Sequence, residues 1–189
     1  SVKAKYDSVY PKEAIPMYFT SNHDENSWNK SDYGTFPGIV HAPFAVFSQT
    51  MGGTVPLVYS GQEEPLLRPL KFFEKDPIVF GKFERAKFYK SLHDLRKKNP
   101  ALAADASFKK VNLGNDTTIY AYVREKGNHK VLVILNLTKK EQDIKITDKS
   151  LQRLAYNIFT GVNEQLSEKR KSLPPWSYFV YEYPVAGAN

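Results

Sequence analysis

The pattern of apolar and polar positions changes character at Pro100. Ahead of it, short apolar runs alternate with helical periods; after it, one strand-like segment follows another. Met17-Tyr18-Phe19-Thr20 is an apolar run closed by the polar stretch Ser21 to Tyr33, which predicts a short buried strand followed by a loop. Residues 39–51 hold Ile39, Val40, Ala42, Phe44, Ala45, Val46, Phe47 and Met51. Apolar surface all round predicts a helix packed on two sides. Pro43 falls in its first turn, where a missing N–H does no harm, and Gly52-Gly53 ends it. Val55 to Tyr59 predicts a second short buried strand, closed by Ser60-Gly61. The loop of about twenty residues beyond it is long enough to suspect function. Phe83, Ala86, Tyr89, Leu92 and Leu95 recur at a spacing of three, while Lys82, Glu84, Lys87, Lys90 and Asp94 face elsewhere. That is an amphipathic helix of about four to five turns, stopped at Asn99-Pro100. Strand and helix in this alternation predict βαβ units and a parallel sheet.

Beyond residue 106 the reading is antiparallel β. Strands are expected at Ser107–Leu113, Thr118–Val123, Lys130–Leu137, around Ile144 and Ile146, at Tyr156–Phe159 and at Trp176–Tyr183, with turns at Gly114-Asn115-Asp116 and Gly127-Asn128. The near-continuous apolar run at 130–137 belongs at a sheet centre. Six strands without a helical period predict a small sandwich. The expected division is residues 1–104, residues 105–185 and a frayed tail at 186–189.

Composition narrows the classes. The chain has 189 residues, 41% hydrophobic and 25% charged, which excludes a disordered or collagen-like protein. The net charge of +7 is shared almost evenly, +3 before Pro100 and +4 from it onward. Its densest knots, Arg96-Lys97-Lys98 and Lys169-Arg170-Lys171, are short, which favours a solvated basic surface over a nucleic-acid partner. No cysteine is present, so disulfides, thiolate metal sites and a cysteine nucleophile are excluded. No apolar run approaches the ~18 residues of a membrane span. No leader-like pattern follows Ser1. Histidines at 23, 41, 93 and 129 show no metal-ligand spacing, and no dinucleotide, P-loop or nucleophile-elbow motif occurs.

Two segments carry candidate chemistry. Ser21-Asn22-His23-Asp24-Glu25-Asn26-Ser27-Trp28 follows the first strand. Side chains just past the C-terminal end of a parallel strand point into an active-site mouth. There an imidazole and a carboxylate would grip sugar hydroxyls while Trp28 stacks on the sugar's apolar face. The alternative is a turn whose Asn, Asp and Ser side chains cap local backbone, though this leaves His23 and Trp28 unexplained. Glu63-Glu64 follows the turn that closes the second strand. Two carboxyls are what a glycosidase needs, but an exposed acidic turn explains them more simply.

Phe19-Thr20-Ser21-Asn22-His23-Asp24 resembles the end of the seventh barrel strand in the α-amylase family of glycoside hydrolases. Gly53 to Glu63 resembles that family's eighth strand, Leu70 to Ile78 the connection after it, and Phe88 to Arg96 the last barrel helix. Tyr120 to Arg124 and Val133 to Leu137 resemble its C-terminal β domain, and the wording from Asp24 to Trp28 is most similar to Bacteroidetes members. The resemblance implies an α/β then all-β chain: strands seven and eight of a (β/α)8 barrel, then an antiparallel β-sandwich. It implies the C-terminal part of a retaining α-glycosidase or transglycosylase acting on α-linked glucans such as starch and maltooligosaccharides. The nucleophilic Asp and general-acid Glu would precede Ser1, so the fragment alone is expected to be inactive. Asp24 matches the carboxylate that stabilises the transition state, His23 a donor to the same sugar, and Trp28 a neighbouring sugar contact. Glu63 matches a structural neighbour. No cofactor or metal is expected in this part, and calcium would belong to the full-length enzyme. A non-catalytic carbohydrate-binding or interaction module is the alternative. Two βα units leave sheet edges open and a helix face uncovered, predicting either self-association through residues 17–60 or a non-native arrangement there.

Overall fold

The computed structural model describes residues 8–11 and 13–185; the expected tail at 186–189 lies outside the described residues. Strand β1 (Met17–Tyr18) pairs in parallel with β2 (Val55–Pro56), with Met17 opposite Val55 and Tyr18 opposite Pro56. The parallel pairing is as expected, but these strands are two residues long and not buried. Met17 is exposed and both residues of β2 are half-buried. The physical reason is that no further strand pairs with either one among the described residues.

Between β1 and β2 the polar stretch at 21–33 is not an open loop. It forms a short helix, α1 (His23–Asn29). Asn22 caps it, its side-chain oxygen accepting from the Glu25 amide at 2.7 Å. Asp24 and Glu25 then sit in the first turn, where the helix dipole favours negative charge. Lys30 closes α1 in a left-handed conformation, and a wide helical turn follows at Ser31–Thr35. A 3-10 turn (Gly38–Val40) leads into α2 (His41–Thr50), with Pro43 in its first turn. The amphipathic helix α3 spans Ala86–Lys98 and buries Tyr89, Leu92 and Leu95.

A 3-10 turn at Pro100–Leu102 precedes the β region. There β3 (Ser107–Val111), β4 (Ile119–Lys126), β5 (His129–Asn136), β7 (Leu154–Asn157), β8 (Val162–Gln165) and β10 (Tyr178–Glu182) form one antiparallel sheet in the order β3-β4-β5-β10-β7-β8. A separate ribbon pairs β6 (Gln142–Ile144) with β9 (Lys171–Leu173). The run at 130–137 does hold the middle of the sheet. Among the described residues of this region eight strands are present rather than six, because β8 and β9 are short and polar and carry no apolar alternation.

The period of two along β4 and β5 divides the core in two. Ile119, Ala121, Val123, Leu132 and Ile134 face the ribbon, with Ile144, Leu173 and Tyr181. Tyr122, Val131, Val133, Leu135 and Val180 face the helices and enclose Val46 of α2 with Leu92 and Leu95 of α3. The α2 face expected to lie bare is therefore covered on this side by the sheet.

Arg124 fixes that junction. It is fully buried, yet among the described residues it has no carboxylate partner. Its guanidinium instead donates to four carbonyls: Nη1 to Thr50 O (2.7 Å) and Met51 O (2.9 Å), Nη2 to Ala103 O (2.6 Å) and Nε to Ser107 O (3.0 Å). Thr50 and Met51 end α2, where unpaired carbonyls and the negative end of the dipole favour a cation. Burial pulls the guanidinium down to about 10, so it stays charged at neutral pH. Arg96 adds a second cation there, donating to Gln49 O (3.2 Å) and Thr54 O (2.8 Å). The turn after α2 runs so close to β3 that a Cβ on Gly52 would meet Phe108 Cβ at 2.6 Å.

Candidate functional site

The cap on α1 presents His23 and Asp24 side by side at its first turn, both exposed, with His23 Nε2 3.6 Å from Asp24 Oδ2. Trp28 lies one turn on and is 61% exposed. The sequence-predicted trio therefore does share one short element. A partner the sequence did not single out joins it. The Phe72 ring, from the long loop after β2, lies 5.8 Å from His23 and 5.5 Å from Trp28, with Phe73 4.8 Å beyond. Between α1 and this loop lies an open cleft of about 450 Å3 whose walls include His23, Ser27, Tyr59, Phe72 and Asp76.

Small polar residues hold the loop against α1. Asn26 is buried and clamps it from both sides, its Nδ2 donating to Arg68 O (3.1 Å) and its Oδ1 accepting from Leu70 N (2.7 Å). Ser27 Oγ donates to Leu70 O at 2.8 Å. Within the loop Arg68 forks onto Asp76 at 2.7 and 2.8 Å, and the Lys71 amide donates to the same carboxylate at 3.0 Å. The Arg68 guanidinium, and then the Lys71 amide, lower the Asp76 carboxyl from 3.8 to about 2. A carboxyl lowered in the folded state stabilises above its free value and loses that contribution as pH falls through the folded one. The clamp is thus complete above pH 3.8 and opens as pH drops toward about 2. In an NMR pH titration the Lys71 amide should inflect near about 2 in the wild type. Asp76→Asn should abolish that inflection; a wild-type inflection at the ordinary aspartate value would contradict the clamp.

The pair Glu63-Glu64 is neither an acid–base couple nor an exposed acidic turn. Glu64 is buried and its carboxylate accepts three backbone amides, Gly81 (3.1 Å), Lys82 (2.9 Å) and Phe83 (3.0 Å). The Lys82 and Phe83 amides foremost hold it below the usual glutamate range. Glu63 accepts from the Gly61 amide at 3.0 Å. Both carboxylates are spent on fixing the ends of the long loop.

Beneath the site lies a buried polar network that sequence reasoning missed. Asp32 accepts from Gln62 Nε2 (3.1 Å to each oxygen) and from Arg85 Nη1 (3.3 Å). Gln62 Nε2 also donates to Thr20 Oγ1 (2.9 Å), at the end of β1. His41 pairs through Nε2 with Tyr89 Oη at 2.7 Å, while its Nδ1 lies 3.2 Å from Asp32 Oδ1 but out of hydrogen-bond alignment. Burial, then the Asp32 charge, raises the Tyr89 hydroxyl. One carboxylate thereby joins residues following both strands to α2 and α3. Among the described residues no group of three His, Cys, Asp or Glu side chains is placed to hold a metal ion. Among the described residues no helix is long and apolar enough to cross a membrane.

Residues 119–180 match the family described as Alpha-amylase SusG C-terminal domain. Among solved structures the chain is similar to a noncanonic maltogenic α-amylase, AmyB, from Thermotoga neapolitana: 20% identity, TM-score 0.74, covering 96% of this chain and 44% of that one. It is also similar to an α-amylase from Lactobacillus plantarum, at 16% identity and TM-score 0.72, covering 97% and 41%. A third is AmyP in complex with maltose, at 15% identity and TM-score 0.70, covering 98% and 44%. Comparison with curated protein sequences returned no match. The chain spans less than half the length of the structures it resembles. Strands β4 to β10 thus lie in the stretch that matches the SusG C-terminal domain, and the chain as a whole has the fold seen in the C-terminal part of these α-amylase structures, the end of a barrel followed by a β domain.

Proposed function

We propose that this chain supplies one wall of the sugar site in a retaining α-glycosidase or transglycosylase acting on α-linked glucans, α-1,4 linkages foremost. The observation that carries the reading is the exposed His23–Asp24 pair one turn from Trp28, just past the parallel strand β1. In this reading Asp24 accepts hydrogen bonds from two hydroxyls of the sugar being cleaved, and His23 donates to the same ring. Such contacts tighten in the oxocarbenium-like transition state. Neither residue attacks carbon or protonates the leaving oxygen. Those steps, double displacement through a covalent glycosyl-enzyme, fall to two carboxyls outside this chain. Calcium, where the whole enzyme uses it, would find most of its ligands outside this chain.

Two outcomes follow. Incubated alone with starch or maltooligosaccharides, the chain should release no reducing sugar; clear turnover contradicts the division of labour. In solution it should also self-associate through residues 17–60. Met17 and Ile39 are 53% and 68% exposed, and the described residues put no further strand beside β1 or β2. Light scattering should give a mass above one chain, reduced by Ile39→Glu. A strictly monomeric wild type at high concentration contradicts this.

A further inference from the structure

The side chains of His23 and Asp24 are 65% and 56% exposed and face each other at 3.6 Å. Beyond that, and the Phe72 ring beside His23, no described residue bonds to either side chain. Their placement is therefore set by the backbone that carries them. That backbone has little stiffness of its own. α1 is seven residues long, too short to be stable alone. Ahead of it β1 is two residues paired with another two. Yet a binding group works only when it is held to within about 0.5 Å of its productive position, which falls to the residues behind it.

The stiffness comes from beneath. Thr20 and Ser21 lie between β1 and the Asn22 cap, and both are buried. Ser21 Oγ accepts from Ser31 Oγ at 2.6 Å, and Thr20 Oγ1 accepts from Gln62 Nε2 at 2.9 Å. Gln62 is buried too and is not free to turn. Its Oε1 accepts from the Tyr59 amide at 2.9 Å, and its Nε2 also donates to Asp32, which Arg85 holds in turn. A hydrogen bond to an ionised acceptor is stronger than one between neutral groups, so the amide stays aimed at Thr20.

We propose that Thr20, fastened by Gln62, is a positioning residue for sugar binding: with Ser21 it sets where the tip of α1 presents His23 and Asp24. The inference rests on the reading of His23 and Asp24 given above, and deepens it: affinity depends on a buried hydroxyl that never meets the sugar.

Calorimetric titration of the 189-residue chain with maltotriose tests it, as a double-mutant cycle of Thr20→Val and Asp24→Asn. Thr20→Val keeps the shape of the side chain and removes the hydroxyl; it should weaken maltotriose about tenfold. Thr20→Ser keeps the hydroxyl and should bind as the wild type does. Asp24→Asn should weaken binding by itself, and Thr20→Val added to it should cost clearly less than in the wild type, because the hydroxyl acts through the pair it places. A merely structural role gives another pattern: a lower urea midpoint in Thr20→Val with the affinity of the folded chain unchanged. Ser21→Ala removes the second bond and should repeat the Thr20→Val result, which keeps the test open where valine at 20 does not fold. Wild-type affinity in Thr20→Val and Ser21→Ala, alongside weakened Asp24→Asn, overturns the positioning role and leaves the reading of Asp24 standing. An equal loss from Thr20→Val in the Asp24→Asn background overturns it as well. Unaltered binding in Asp24→Asn overturns the reading of Asp24 and the inference with it, as does a wild-type chain that binds no maltotriose saturably.

Discussion

Arg124→Met will destabilise the chain by about 3–5 kcal/mol, the range for stripping one side of a buried charged interaction. The estimate follows from what the guanidinium leaves behind. Thr50, Met51, Ala103 and Ser107 each lose a donor; Met51 O keeps Thr54 Oγ1 and Ala103 O keeps the Ala106 amide, so the buried Thr50 carbonyl and the loss of the cation at the end of α2 carry most of the cost. A buried acceptor left without a partner costs about 1–3 kcal/mol before any relaxation. Methionine fills much the same space, so the loss reports polar satisfaction rather than a cavity. Arg124→Lys should lose about 2 kcal/mol, since an ammonium keeps the charge at the end of α2 but cannot span four carbonyls. Urea unfolding of the three proteins measures this. A methionine variant within about 0.5 kcal/mol of the wild type, the scatter of an ordinary surface change, would mean the carbonyls find water and the junction does not depend on Arg124.

Asp32→Ala should cost nearly as much, about 3–4 kcal/mol, and the loss should be local. Removing the carboxylate leaves half-buried Arg85 without its ion-pair partner, leaves Gln62 Nε2 only its bond to Thr20, and removes the charge beside buried His41. Because Gln62 also holds Thr20, the end of β1 and the segment after β2 should loosen together. Asp32→Asn should cost about 2 kcal/mol, since its amide turns a donor toward donors. Amide exchange distinguishes local from global effects. Protection should fall across residues 18–33 and 57–64 and persist in β5, whose core contacts lie elsewhere. Equal loss of protection in β5 would show that the two halves unfold as one unit.

How much of this was legible depends on what each feature rests on. The α3 helix and strands β4 and β5 follow from repeated apolar spacing, and their burial repeats the pattern read from Tyr89, Leu92, Leu95 and residues 130–137. Local hydrogen bonding was legible but overlooked. Asn22 followed three residues later by Glu25 is a capping signature, and it starts α1 inside a stretch read as loop. Strands β8 and β9 gave no such signal. Val162-Asn163-Glu164-Gln165 is almost wholly polar, and only its pairing with β7 makes it a strand. The His23, Asp24 and Trp28 trio shares a helix short enough to be read from one stretch of chain. Phe72 reaches it from more than forty residues away through the Asn26 and Ser27 clamps, and no local pattern announces such a contact. Arg124 and Asp32 are equally silent, because a buried charge is defined by the carbonyls and amides that surround it only after folding.

The account turns on whether the tip of α1 meets sugar. Isotope-labelled chain titrated with maltotriose, read by amide and indole shifts, answers this directly. The account predicts saturable changes at His23, Asp24 and the Trp28 indole, extending to Phe72, with β3 to β10 unmoved. Changes confined to the β strands would move sugar binding to a module of another kind, and no changes at all would remove the site from this chain.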